Sequence, residues 1–207
     1  VKFNSDLSIA ARKVYGGADW DLFKAVSSDG TYTYAVGDTR SEGEGNYDWL
    51  IVKFNNSDLS IAARKTYGNA SGDYTYGVAS DGTYIYVEGV ASIASGGLIV
   101  KFNSDLSIAA RKGLEHSEAS GLTFEDVHYG GGYTWVGGPH MYDPWSDNDS
   151  FIGRINSMPA GTLTSDPSGF TWSDSSLLTL ADSAMTLADS AMTLADSTAA
   201  STIYTIE

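Results

Sequence analysis

The chain has 207 residues, with 26 acidic against 12 basic side chains, a formal net charge of −14 and no cysteine. That balance speaks against nucleic acid or an anionic membrane as partner, because phosphate binding needs clustered Lys and Arg. The missing cysteines exclude a disulfide framework, a thiolate nucleophile and a Cys-ligated zinc. The 42% apolar residues suffice for a packed core, and no run approaches the roughly 18 apolar residues of a membrane-spanning helix, so no membrane insertion is expected.

From the N-terminus, the block Val-Lys-Phe-Asn-Ser-Asp-Leu-Ser-Ile-Ala-Ala-Arg-Lys begins at Val1, recurs at Val52 with one extra Asn, and recurs again at Val100. Spacings of 51 and then 48 residues mark supersecondary units that bury their apolar faces on one another, as in propellers and solenoids. Residues 1–17 are expected to hold only the last two strands of a unit. Residues 18–66 and 67–112 would each make a whole unit, and 113–165 a divergent one. Opening in mid-pattern without Met suggests a processed chain or a piece of a longer one.

Ser28-Asp29-Gly30-Thr31-Tyr32-Thr33-Tyr34 matches Ser80-Asp81-Gly82-Thr83-Tyr84-Ile85-Tyr86, and each is followed by a glycine, Gly37 or Gly89. The third copy is looser: Gly130 to Gly132, then Tyr133, Thr134, Trp135 and Gly137. Each Asp-Gly or Gly-Gly pair predicts a tight hairpin. In the second whole unit, strands are expected at Tyr76 to Ala79, Thr83 to Gly89, Gly97 to Asn103 and Leu106 to Lys112, with Asn-Ser-Asp-Leu turning the last two. Leu50-Ile51-Val52 and Leu98-Ile99-Val100 read as inner strands buried on both faces. Four short strands per unit make the fold class all-β, a β-propeller of four-stranded blades, present as a whole small ring or as part of one.

Asp48-Trp49-Leu50-Ile51-Val52-Lys53-Phe54, Asp58-Leu59, Lys65-Thr66-Tyr67-Gly68 and Ser80 to Gly89 together resemble the seven-bladed β-propeller (SBBP-type) repeat family over residues 1–156. The resemblance implies a secreted or surface protein without an assigned activity. Seven blades need far more chain than this, so the half unit at residues 1–17 must find its missing strands elsewhere. Upstream residues, the segment near 170–207 and a second chain are all open.

Residues 166–207 form a linker and a different repeat. Thr179-Leu180-Ala181-Asp182-Ser183-Ala184-Met185 recurs from Thr186 and starts again at Thr193. A coiled-coil seam through Leu180, Ala184, Leu187, Ala191 and Leu194 competes with short strands. Thr, Asp and Ser in every heptad disfavour the helix, so short β segments are expected. Such a motif points to docking or assembly, or else to a duplicated linker.

His116, His128 and His140 lie twelve residues apart, which fits no helical ligand pair. Asp143, Asp147 and Asp149, and the stretch from Asp38 to Asp48, gather the hard oxygens that structural calcium needs. No other cofactor is expected. Tyr133, Trp135, Tyr142 and Trp145 are the ligand-binding candidates, as a stacking surface for carbohydrate. No catalytic residues are predicted. The expected function is a non-catalytic extracellular scaffold: a cell-surface, filament or virion appendage component for adhesion or assembly, with protein partners or copies of itself. A carbohydrate-binding propeller is the alternative, with glycans as partner, and a secreted glycoside hydrolase is more distant.

Overall fold

The computed structural model of the chain describes residues 1–44, 46–91, 97–116, 121–142, 147–155, 170–173, 179–182 and 186–189. All the regular structure there is antiparallel β. The N-terminal half unit comprises β1 (Lys2–Phe3), β2 (Ile9–Ala11) and β3 (Lys13–Gly16). A first sheet follows, β4 (Asp21–Ser28), β5 (Tyr32–Thr39), β6 (Asp48–Asn55) and β7 (Ile61–Gly68), paired in chain order. A second is built alike from β8 (Tyr74–Ser80), β9 (Ile85–Val90), β10 (Gly97–Phe102) and β11 (Ile108–His116). A third holds β12 (Gly121–Leu122), β13 (Asp126–Gly130), β14 (Tyr133–Tyr142) and β15 (Asp147–Ile155), with β12 and β13 both paired to β14.

Local chemistry repeats with the sequence. The Asn-Ser-Asp-Leu segments turn the third strand into the fourth. Asn103 N–H donates to the Ser107 carbonyl at 2.8 Å and Leu106 N–H to the Asn103 carbonyl at 2.9 Å. Asp105 accepts from Ser107 N–H at 2.9 Å and from its hydroxyl at 2.6 Å, which holds the Asp105 carboxyl below its ordinary range. Asp6 and Asp58 do the same with Ser8 and Ser60. The leucine of each turn is left-handed, with φ of 64°, 59° and 65° at Leu7, Leu59 and Leu106, and a bulge follows Lys2, Lys53 and Lys101 alike. This is the turn-plus-bulge hairpin in which glycine or asparagine normally takes the left-handed place. The Asp-Gly hairpins use their glycines as expected, at φ of 91° and 85° for Gly30 and Gly82. Asp81 accepts from Thr83 and Tyr84 N–H at 2.8 and 2.6 Å and from the Tyr86 hydroxyl at 2.8 Å.

The glycine after each hairpin lets the neighbouring strand bulge inward. A Cβ on Gly89 would collide with the Tyr74 carbonyl, one on Gly37 with that of Leu22, and one on Gly138 with that of Thr123. Gly138, rather than the Gly137 picked out by sequence, therefore takes the repeated place in the third unit. With that correction Tyr133-Thr134-Trp135 overlays Tyr32-Thr33-Tyr34 and Tyr84-Ile85-Tyr86.

The sheets stack face on face. β6 is buried along its length up to Asn55, and β10 nearly so, as a strand packed on both sides must be. Tyr34, Val36, Trp49, Ile51 and Tyr67 of the first sheet pack on Val78, Ile85, Val87, Leu98, Val100, Phe102 and Leu106 of the second. Ala79, Tyr86 and Ile99 on the opposite face meet Phe124, Val127, Val136 and Ile155 of the third. The half unit lays Tyr15 against Ala35, Leu50, Val52 and Phe54 of the first sheet.

The C-terminal segment forms strands, as expected: β16 (Phe170–Ser173), β17 (Thr179–Asp182) and β18 (Thr186–Asp189). They add to the outer edges in reverse order, β16 to β11, β17 to β7 and β18 to β3. Thr179, Leu180, Ala181 and Asp182 pair with Gly68, Tyr67, Thr66 and Lys65, and the second heptad pairs identically with Gly16, Tyr15, Val14 and Lys13. What the tail gives the half unit is an outer strand, not its missing inner pair. Four Cα–Cα steps join Asp182 to Thr186 and span at most about 14 Å, enough to cross the roughly 10 Å between packed sheets.

Candidate functional site

The repeated residues build a joint between units. Lys53 lies opposite Tyr34 in the β5–β6 register, Lys101 opposite Tyr86, and Arg154 opposite Trp135. Each cation sits over the aromatic ring two residues earlier on the neighbouring strand. The Lys53 ammonium is 3.8 Å from the Tyr32 centroid, that of Lys101 3.6 Å from Tyr84, and the Arg154 guanidinium 4.4 Å from Tyr133. The first of these reaches across to the next sheet, donating to the Ser104 carbonyl at 2.7 Å. Lys2 of the half unit does likewise to the Asn56 carbonyl at 2.6 Å. Both acceptors directly follow the first Asn of the next unit's hairpin. A cation stacked on tyrosine keeps its charge while shedding water, which suits it to a nearly buried place. Changing Lys53 to Met should therefore lower stability by about 1–3 kcal/mol in urea unfolding; a midpoint equal to wild type would mean that the joint owes nothing to this hydrogen bond.

Of the aromatic candidates, Tyr133 and Trp135 are brought together, ring centroids 6.5 Å apart and edge to face. The Trp135 indole N–H donates to the Gly130 carbonyl at 3.3 Å, where Tyr34 and Tyr86 instead donate to Asp29 and Asp81. Tyr142 ends β14 opposite Asp147, and Trp145 lies outside the described residues. Asp143 also lies outside them. Asp147 and Asp149 are strand residues of β15, opposite Tyr142 and His140. Among the described residues no three His, Asp or Glu side chains group as metal ligands would. His128 is exposed on β13, opposite Trp135.

Residue-type reasoning passed over a polar cluster where β4, β5, β8, β9 and β13 meet. Lys24 is ion-paired with buried Asp38, which also accepts from Thr75 N–H at 2.9 Å, and its ammonium stands 4.8 Å from the Tyr76 centroid. Beside them Glu88 is fully buried, and neither carboxylate oxygen has a hydrogen-bond partner. Burial first, then the charges of Asp126 and Glu125, push its pKa up to about 8, against a smaller pull from Lys24. The signal was in the repeat: with Gly138 aligned to Gly89, Glu88 stands where the other units have Val36 and Gly137. The chain matches no protein-family model, and a search of curated proteins finds no match either.

Proposed function

We propose that the protein is a non-catalytic extracellular scaffold, a stack of propeller-type units of the SBBP kind that serves assembly or adhesion at a cell, filament or virion surface. The observation that carries this reading is how the repeated polar residues are used. The hairpin Asp and Ser and the turn Asp with its tyrosine hold turns, and the stacked Lys53 joins one unit to the next. Tyr133, Trp135 and Arg154, the best carbohydrate-stacking group, occupy the same joint positions. That favours a structural use over a sugar subsite.

The tail supports the same reading, since two identical heptads seal two equivalent edges. A chain ending at Ser173 would leave β3 and β7 with unpaired edges, which invite strand addition. It is expected to unfold at lower urea than the full chain and to associate through those edges, read as a higher mass by light scattering. Unchanged stability and mass would reduce the heptads to a linker. Glycan binding abolished by Trp135→Ala, with folding intact, would replace the scaffold reading by a lectin.

A further inference from the structure

The two ends of the stack carry the two halves of the joint, and their described residues are exposed. On the third sheet, Ile152 and Arg154 of β15 share a face with Trp135 and Gly137 by register and alternation. Aligning Arg154 with Lys53 and Lys101 makes Ile152 the counterpart of Ile51 and Ile99. Those two are 0% exposed beneath the next sheet, whereas Ile152 is 77% exposed. Arg154 is exposed as well. It is poised over Tyr133 as Lys53 is over Tyr32, but on an outward face.

At the other end, Val1, Phe3 and Leu7 of the half unit correspond to Val100, Phe102 and Leu106. The latter three are sealed under the first sheet at 0% exposure; Phe3 is 52% and Leu7 76% exposed. Leu7 keeps the left-handed backbone of its counterparts, φ 64°. A leucine in that conformation is costly, and it repays the cost only where its side chain is covered. Val14 adds to the same exposed apolar group. In each of the two hairpins that follow, the carbonyl after the first Asn receives a lysine from the preceding unit.

We propose that the chain binds a second copy of itself head to tail, the outer face of the third sheet seating on the outer face of the half unit. Ile152 then packs on Phe3 and Leu7 as Ile51 packs in the joint below, and the Arg154 guanidinium donates to the Ser5 carbonyl. The joints inside the chain serve as template. Because the two surfaces differ, the contact propagates, giving an open filament or a closed ring instead of a symmetric pair. This inference rests on the scaffold reading and names its partner.

The test uses full-length variants that block one end each. Leu7→Asn suits the left-handed position, so it keeps the hairpin while removing the apolar contact; Arg154→Glu reverses the charge at the other end. Wild type is expected to grow in mass with concentration by light scattering, and each variant alone to stay at the 22.0 kDa of one chain. Mixed in equal amounts, the two variants are expected to form a heterodimer of twice that mass, since one intact head and one intact tail remain. Circular dichroism and urea unfolding confirm that both are folded. A wild type that stays monomeric overturns the inference, as does a mixture that stays monomeric. Variants that assemble as wild type does would place self-association elsewhere and leave the scaffold reading standing.

Discussion

Replacing Glu88 by Gln is expected to leave stability little changed near pH 5 and to raise it strongly near pH 9. The carboxyl is buried without a partner, so the folded state holds its proton up to about pH 8, while the unfolded chain releases it near the ordinary 4.5. Between those values the folded state binds one proton more, and stability must fall as pH rises. Each pH unit of separation is worth about 1.4 kcal/mol, so the full penalty above pH 8 is on the order of 4–5 kcal/mol. Urea unfolding of both proteins across this range checks it. Parallel pH profiles would show that Glu88 has found a counter-charge, with Lys24 the nearest source.

Trp49→Ala should be the most damaging single truncation in the joint between the first and second sheets. Its side chain is fully buried, its ring lies 5.4 Å from that of Tyr67, and its indole N–H donates to the Val90 carbonyl across the joint at 3.2 Å. One ring edge fills the space that a Cβ on Gly89 would need. Removing so large a buried group costs about 3–5 kcal/mol, because the flanking sheets cannot close the cavity. The equivalent residue of the second sheet is Gly97, so the joint between the second and third sheets has no tryptophan at this place. A loss below about 1 kcal/mol in urea unfolding would mean that the two sheets part before the core yields.

The strand meander was readable in the sequence because turn chemistry is local. Asp-Gly, Asn-Ser-Asp-Leu and the apolar Leu-Ile-Val triplets each fix a hairpin or an inner strand within ten residues. Three things were not readable. Left-handed Leu7, Leu59 and Leu106 run against residue preference; the side chain of Leu106 is sealed in the core, whereas that of Leu7 is exposed. The partners of the two heptad strands lie more than a hundred residues away, and nothing in Thr-Leu-Ala-Asp names Lys65 to Gly68 as its edge. The candidate ligand aromatics looked like a departure from the repeat because the third hairpin carries glycines in place of Ser-Asp-Gly. Once Gly138 is set against Gly89, Tyr133 and Trp135 become ordinary members of it.

The tail also decides how the molecule yields to force. Lys13, at the leading end of β3, pairs with Asp189, at the trailing end of β18. Tension between the two termini therefore loads both strands from the same end, and the ladder opens one pair at a time, as a zipper does, rather than shearing all at once. A force-extension measurement on the full chain is expected to release β18 at lower force than a sheared ladder of the same length would need.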